Sequence, residues 1–423
     1  MVDVGPKMAY TDPWRADELD RAAERLDWAA KDAQKPAGTF DADYAALCQV
    51  FEVPSHPCLS SRRAKAATED EAKSPAASST IQLRNFAVDL TTLRLMMEAL
   101  KRSSDIDTLT FHNAGLTEAS IAVLVEGLQH TSVRSLGLDY NTPLLPSSSP
   151  VRLKAAERAA EAASGRNFAG LVREGSKLKE LSLRGNGIDD LETAALAEAI
   201  EENTILCSLN LFDNNITDVG AVAFAEMLRL NTVLRGLSLA RNSLTPTSAE
   251  AFGLLLAGGY EVLAPEQEKR AAVEAKIAAQ NKIAQDAMKK KKDAKVETRL
   301  PLSAVALQTG GEGSTKAVAG GSKSLAALNL SENRELGENG ALVELLSRIV
   351  EARKEEAEEA GAGVGFGAGA GAVVLQELHL ARCQGYVEQE EVGGESGDGM
   401  VVGDQAGMLA AMAFALRPTK VVV

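Results

Sequence analysis

Residues 178–188 read LKELSLRGNGI, residues 206–216 read LCSLNLFDNNI, and residues 234–244 read LRGLSLARNSL. All three fit LxxLxLxxNx(L/I), and their first leucines, Leu178, Leu206 and Leu234, stand 28 residues apart each time. Within a copy the leucines alternate, as Leu181 and Leu183 do, which is the pattern of a short strand with one buried face. Asn186, Asn214 and Asn242 each follow three residues after the last strand leucine. An asparagine there can bond the backbone of a bend whose polar groups would otherwise be buried without partners. Beyond the bend, Leu196, Ala199 and Ile200, and again Phe224, Met227 and Leu228, stand at i, i+3 and i+4, so a helix follows each strand. Asn203-Thr204 and Asn231-Thr232 close the helices and lead back to the next strand. One such unit cannot bury its own apolar face, whereas stacked units share a continuous core. The fold class expected is α/β, a solenoid of strand–helix repeats.

Counting outward finds weaker copies. Upstream lie Val133, Leu136, Leu138 and Asn141, then Ile106, Leu109 and Phe111, then Ile81 and Leu83. Downstream lie Leu325, Leu328, Leu330 and Asn333, and finally Leu375, Leu378 and Leu380, with Cys383 at the asparagine position. About eight units are expected, over residues 78–423.

The repeat wording, with N-x-(I/L)-(T/D)-D after the strand and A-x-A-x-A-x-x-L-x-x-N-T in the helix, resembles the ribonuclease-inhibitor-like leucine-rich repeats, which implies a horseshoe. Within that group the chain looks most like the ciliary and flagellar members. The leader YAALCQVFEVP at residues 44–54 and the interruptions of the array carry that likeness. The resemblance implies a structural or regulatory subunit of an axonemal complex such as the nexin–dynein linkage, with other axonemal or cytoskeletal proteins as partners in a hetero-oligomer. The same repeat type is used by Ran GTPase-activating proteins, so a GTPase regulator is the alternative. A sensor or inhibitor is a third reading, for which the leader is too short to hold a nucleotide-binding domain.

Composition narrows the classes. The 423 residues include 45 basic and 59 acidic ones, a net charge of −14 at pH 7, which disfavours bulk binding to nucleic acid or anionic membrane. No apolar run reaches the length of a membrane span, and the start MVDVGPKMAYTDPW has no apolar signal region, so a cytoplasmic protein is expected. Cys48, Cys58, Cys207 and Cys383 read as reduced thiols, with Cys207 and Cys383 in the repeat core. Cys48, His56 and Cys58 make a poor zinc pattern, and neither metal nor cofactor is expected. No Ser/His/Asp or Cys/His set is implied; Asp189-Asp190 sits where carboxylates favour a helix start. The protein is therefore read as non-enzymatic.

Used as a ruler, the 28-residue step exposes insertions, at about 146–165, 262–322, 351–373 and 386–404. Val133 to Leu178 is 45 residues, 17 beyond one step; Leu234 to Leu325 is 91, 63 beyond; Leu325 to Leu375 is 50, 22 beyond. The first reads as a loop and a helix stopping near Gly165. The second opens with a helix from Pro265 to about Lys292, carrying a thin stripe of Val273, Ile277, Ile283 and Ala287. Residues 266–299 hold ten bases and six acids, with the positive charge concentrated at Lys289, Lys290, Lys291 and Lys292, a nuclear-import signal, a basic contact for an acidic partner or a solvated helix end. The stripe serves either to dock on a partner or to lie back on the solenoid. GGEGS at 310–314 and GGS at 320–322 read as flexible chain. The third is a glycine tract at 361–371, a linker rather than a phosphate loop because no Lys-Ser/Thr follows it. The fourth holds six acids and no base from Glu388 to Asp404, ahead of a last helix at Met408–Leu416.

Residues 1–77 form a helical leader and linker. Arg15–Ala33 has Leu19, Ala22, Ala23, Leu26 and Ala30 at helical spacing and reads as a free, partner-seeking helix, while 40–56 caps the first repeat. The remaining candidate site is the concave sheet. Its outward positions include His112, Asp139, Lys179, Glu180, Ser182, Arg184, Asn210, Phe212, Asp213, Arg235, Arg241, Asn329, Gln376 and His379, a mixture suited to protein recognition. The ruler sets Arg184 and Phe212 one repeat apart.

Overall fold

The computed structural model describes residues 35–60, 79–141, 168–173, 175–290, 302, 305–309, 315–320, 322, 324–359, 377–380 and 420–422. The chain forms two compact units, 1–187 and 188–423.

In the first unit, helix α1 (Phe40–Val50) precedes β1 (Thr80–Arg84), α2 (Leu90–Arg102), β2 (Thr108–His112), α3 (Glu118–Leu128), β3 (Ser135–Gly137), a 3-10 turn (Phe168–Leu171) and β4 (Glu180–Ser182). The four strands pair in parallel in chain order, with Leu83 opposite Phe111, Leu109 opposite Leu136, and Leu136 opposite Leu181. These side chains are essentially inaccessible to solvent. Burial of each such residue stabilises by about 1.5–3 kcal/mol. Helix starts are fixed by side chains: Asp89 accepts from the Thr92 amide and hydroxyl, and Thr117 and Ser120 form a reciprocal capping box.

Helix α1 packs on α2, so residues 40–50 cover the helix side of the first repeat. Phe40 stacks on Tyr44 with ring centroids 5.6 Å apart, and the Phe40 amide donates to Asp105. Arg15–Ala33, read as a free helix, lies outside the described residues, as do the first and fourth insertions, the glycine tract at 361–371, Cys383, Gln376 and the expected helix at Met408–Leu416, whereas residues 351–359 of the third insertion are helical.

In the second unit, α4 (Asp190–Glu201), β5 (Ser208–Asn210), α5 (Asp218–Leu228), β6 (Gly236–Ser238) and α6 (Pro246–Ala257) continue the alternation. Then come β7 (Gly258–Glu261), α7 (Ala264–Lys290), β8 (Val305–Thr309) and β9 (Thr315–Gly320), followed by β10 (Ala327–Asn329), a 3-10 turn (Arg334–Gly340), α8 (Ala341–Glu359), β11 (Glu377–His379) and β12 (Lys420–Val422). Strands β5, β6, β10, β11 and β12 pair in parallel in that order. Leu237 stands opposite both Leu209 and Leu328, so β10 occupies the next rung after β6 despite the 91-residue interval. Helix α8 packs on α6 in the same way. The long insertion is looped out of an unbroken stack. Strand β12 adds a rung that the alternating leucines do not announce.

Two expectations are corrected here. The GGS stretch, read as flexible chain, has Gly320 at the end of a strand: β8 and β9 pair antiparallel, Val305 opposite Ala319 through Thr309 opposite Thr315, and β7 joins the other edge of β9. GGEGS at 310–314 lies outside the described residues. Val262 and Ala319 form the buried core of this small sheet, and the Ser322 amide donates to the Leu255 carbonyl, tying the insertion to α6. Cys207, expected in the core, is half-buried with its thiol directed to the Ile205 carbonyl at 3.3 Å; it occupies an x position of the motif, which the strand pleat turns away from the leucines.

The open question about α7 is resolved for its first half. Ile277 and the guanidinium-bearing Arg270 are buried, Lys269 pairs with Glu201 at 3.3 Å, and Lys276 with Glu202 at 3.5 Å. Arg270 donates to the carbonyl of Arg229, at the C-terminal end of α5, where cations are favoured. This half of the stripe lies back on the repeats, while Ile283, further along, is exposed.

Candidate functional site

The site is built on the bend that follows each strand. Its support is an asparagine ladder. Asn186 donates to the carbonyls of Leu138 and Arg184 and accepts the Asn141 amide; Asn214 donates to Leu211 and accepts from Ile188; Asn333 donates to Leu239 and Leu330 and accepts from Asn242. Each rung therefore closes its own bend and ties it to the neighbouring repeat. In the second unit, the returns from helix to strand are held by Asn231, which donates to the Ile200 and Asn203 carbonyls and accepts from Val233 and Leu234. Asp190 accepts from Thr217 and Gly220, and Asp218 repeats this toward Thr245 and Ser248. Burial alone would raise the Asp218 pKa, but the Ser248 and Thr245 hydrogen bonds outweigh it and hold the carboxyl below its ordinary value.

A residue one or three places after the strand end is left-handed in each of these bends. Asn85, Asn113, Tyr140, Asp213, Arg241 and Glu332 all have φ between 49° and 61°, and Gly185 has φ of 61°. This column points away from the core and meets the strand-end side chains. In the first unit, His112 at the end of β2 meets the Tyr140 ring edge-on at 5.2 Å, and the Arg184 guanidinium lies 6.0 Å from the centre of the same ring. A Cβ on Gly185 would come within 2.3 Å of the Tyr140 ring, so only glycine lets the tyrosine lie down over the next bend. Asp139, beside them, accepts from the Ser182 hydroxyl at 2.6 Å and the Arg184 amide at 3.3 Å.

Of the other residues singled out from sequence, Lys179 is half-buried just before β4, and Glu180 accepts from the Ser135 hydroxyl at 2.9 Å. In the second unit, Asn210 at the end of β5 accepts from the Phe212 amide and so serves its own bend. Phe212 lies under the Arg241 guanidinium at 6.0 Å, and Arg241 pairs with Asp213 at 3.1 Å. His379 lies 3.5 Å from Glu377. Arg184 and Phe212 fall in different units, and each has its ring or guanidinium partner within its own unit. Lys289 and Lys290 end α7, whereas Lys291 and Lys292 lie outside the described residues. Each unit thus holds an aromatic–guanidinium grouping.

Sequence reasoning missed Tyr140 and Gly185. The signal was present: both occupy the column immediately before the ladder asparagine, alongside Asp213 and Arg241. Among the described residues no group of three histidine, cysteine or acidic side chains is arranged to hold a metal. His56 instead accepts the Cys58 amide at Nδ1 and directs Nε2 to the Ala87 carbonyl, and burial pushes its imidazole pKa down.

The family model described as Leucine Rich repeat matches residues 176–191 and 202–225. Together with the alternating parallel strands and helices, this identifies the fold as a leucine-rich-repeat solenoid, a class that binds other proteins. No curated protein sequence matches the chain. Among solved structures, leiomodin-1 actin-binding site 2 is similar over 32% of this chain and 82% of its own, at 21% identity and a TM-score of 0.20. No helix among the described residues is long and apolar enough to cross a membrane.

Proposed function

We propose that this chain is a non-catalytic scaffold, a structural or regulatory subunit of a ciliary or flagellar axonemal complex. Residues 78–423 form its repeat array and 1–77 its leader. The observation that carries the scaffold reading is the placement of aromatic–guanidinium groups on the strand-side bends of both units, Tyr140 with Arg184 and Phe212 with Arg241. Aromatic and arginine side chains are the usual anchors of protein interfaces. His112, Lys179, Glu180, Asn210 and His379 flank these anchors, and Lys289–Lys292 supply a basic contact from the long insertion. The leader motif at 44–54 and the interrupted array support the axonemal assignment. Partners are other protein subunits in a hetero-oligomer, and no cofactor takes part.

Proximity labelling in ciliated cells, followed by cross-linking of the isolated complex, tests this reading. Axonemal neighbours are the expected result, and their absence removes the ciliary assignment. Acceleration of GTP hydrolysis by the purified chain would replace the scaffold with a GTPase regulator.

A further inference from the structure

We propose that helix α7 is a strap, pinned at Arg270, that lifts off the second unit as one piece while the repeats beneath it stay folded. Its sequence gives it little to bury. Among the described side chains of α7, Arg270 and Ile277 are buried and Glu266, Val273 and Asn281 half-buried; the rest face solvent. Helix α5 buries Ala221, Phe224, Ala225, Met227 and Leu228 within 11 residues, whereas α7 buries Ile277 within 27. A segment with so few buried apolar contacts opens at a lower free energy than the core it rests on. The repeat helices pack directly on one another, α4 on α5 and α5 on α6, so lifting α7 removes none of those contacts.

Charge set against helix ends holds the strap down. The Arg270 guanidinium donates to the Arg229 carbonyl, at the C-cap of α5, at 3.3 Å. Glu266 lies 3.7 Å from the Arg229 guanidinium and 3.8 Å from that of Arg270. Lys269 and Lys276 reach Glu201 and Glu202, where α4 ends. Partial negative charge gathers at helix C-termini, so a cationic face fits this surface. Arg270 is the pin because its side chain is 4% exposed; docked, it has to keep its partners, and lifting the helix returns it to water. Lys269 and Lys276 are 63% and 64% exposed, so water screens their pairs.

The root of the strap is fixed separately. The Val262 amide donates to the Ala317 carbonyl, and Val262 shares the core of the small sheet with Ala319. Leu263, between this root and the helix, is exposed and marks the pivot. Twenty residues separate Arg270 from Lys290, so the tip carrying Lys289 and Lys290 lies roughly 30 Å beyond the pin. The docking of Arg270 therefore decides where that basic tip stands.

Hydrogen exchange of the full chain, read by mass spectrometry on peptides of α4, α5 and α7, tests the proposal without any partner present. In the wild type, residues 271–283 should share one protection, about tenfold or more below that of α4 and α5. Protection equal to that of α5 overturns the strap. Arg270→Gln should speed exchange in α7 about tenfold further and leave α4 and α5 as they were. No acceleration, or acceleration shared equally by α4 and α5, also overturns it. Should Arg270→Gln fail to fold, the surface double variant Lys269→Glu/Lys276→Glu decides the matter. It sets like charges against Glu201 and Glu202 and should speed α7 alone about fivefold, whereas unchanged exchange sinks the strap.

Discussion

The two units use the same bend with its roles exchanged. In the first, the left-handed position carries the aromatic ring, Tyr140, and the residue just before the left-handed position of the following repeat carries the cation, Arg184. In the second, the residue just before the left-handed position carries the ring, Phe212, and the left-handed position of the following repeat carries the cation, Arg241. The carboxylates differ as well. Asp139 is taken up by a hydroxyl and a backbone amide, whereas Asp213 forms an ion pair with Arg241. One backbone device therefore presents two electrostatic faces, depending on which of two adjacent positions holds the charge and which group satisfies the acid.

The largest effects should come from removing what the two bends share. Asn186→Ala in the first unit and Asn214→Ala in the second each strand buried carbonyls and a buried amide. Each unsatisfied group costs about 1–3 kcal/mol, so a loss of roughly 3 kcal/mol or more is expected at either site. Chemical denaturation with unit-resolved hydrogen exchange would check this. A large loss in one unit and none in the other would break the equivalence of the supports.

A smaller effect, confined to the first unit, should follow Gly185→Ala. A left-handed alanine costs about 1 kcal/mol and displacing the Tyr140 ring roughly 1 more. In a Tyr140→Ala background the second part disappears, giving a coupling of about 1 kcal/mol in a double-mutant cycle. An additive cycle would mean that glycine serves the backbone alone.

Acid should distinguish the units through Asp218, which stands at the start of α5 and holds the start of α6 in the second. Its folded pKa lies below the unfolded value, so its contribution is complete above the ordinary carboxylate range and is lost as pH falls through the folded value. Asp218→Asn should flatten the pH dependence of the second unit below that range, read by hydrogen exchange or by the midpoint of acid unfolding. An unchanged slope would assign the hydrogen bonds of Thr245 and Ser248 no role in acid stability.

The regular rungs were legible because their physics is local and periodic. Alternating leucines give the strand, i and i+3/i+4 positions give the helix, and the buried asparagine gives the bend. The 91-residue interval between Leu234 and Leu325 marked the chain that loops out between β6 and β10, but its contents were only partly readable. The β8–β9 pairing escaped because its apolar positions are few and the sequence between its strands is glycine-rich, which composition alone equates with flexibility. The docking of α7 depends on Arg270 meeting a helix end 41 residues earlier, a contact that no periodicity announces. At the site, the strand-face residues followed from alternation. Tyr140 did not, because it stands where alternation ends and a left-handed φ turns the side chain; recognising it requires comparing one column across repeats rather than reading along one repeat.

The finest test of the comparison carries the smallest stability effect. Asp213→Asn removes the ion pair to Arg241, whose side chain is 59% exposed against 31% for Asp213, and such pairs contribute about 0–1 kcal/mol. Asparagine also suits the left-handed bend, so stability should change by about 0.5 kcal/mol or less. The electrostatic change is larger than the energetic one. Arg241 keeps its ring contact with Phe212 but loses the Asp213 counter-charge. Asp213→Asn should therefore bind a labelled glutamate–tyrosine copolymer more tightly than wild type, read by fluorescence anisotropy. Unchanged affinity would show that the positions of ring and cation, rather than the free charge, set what each grouping recognises.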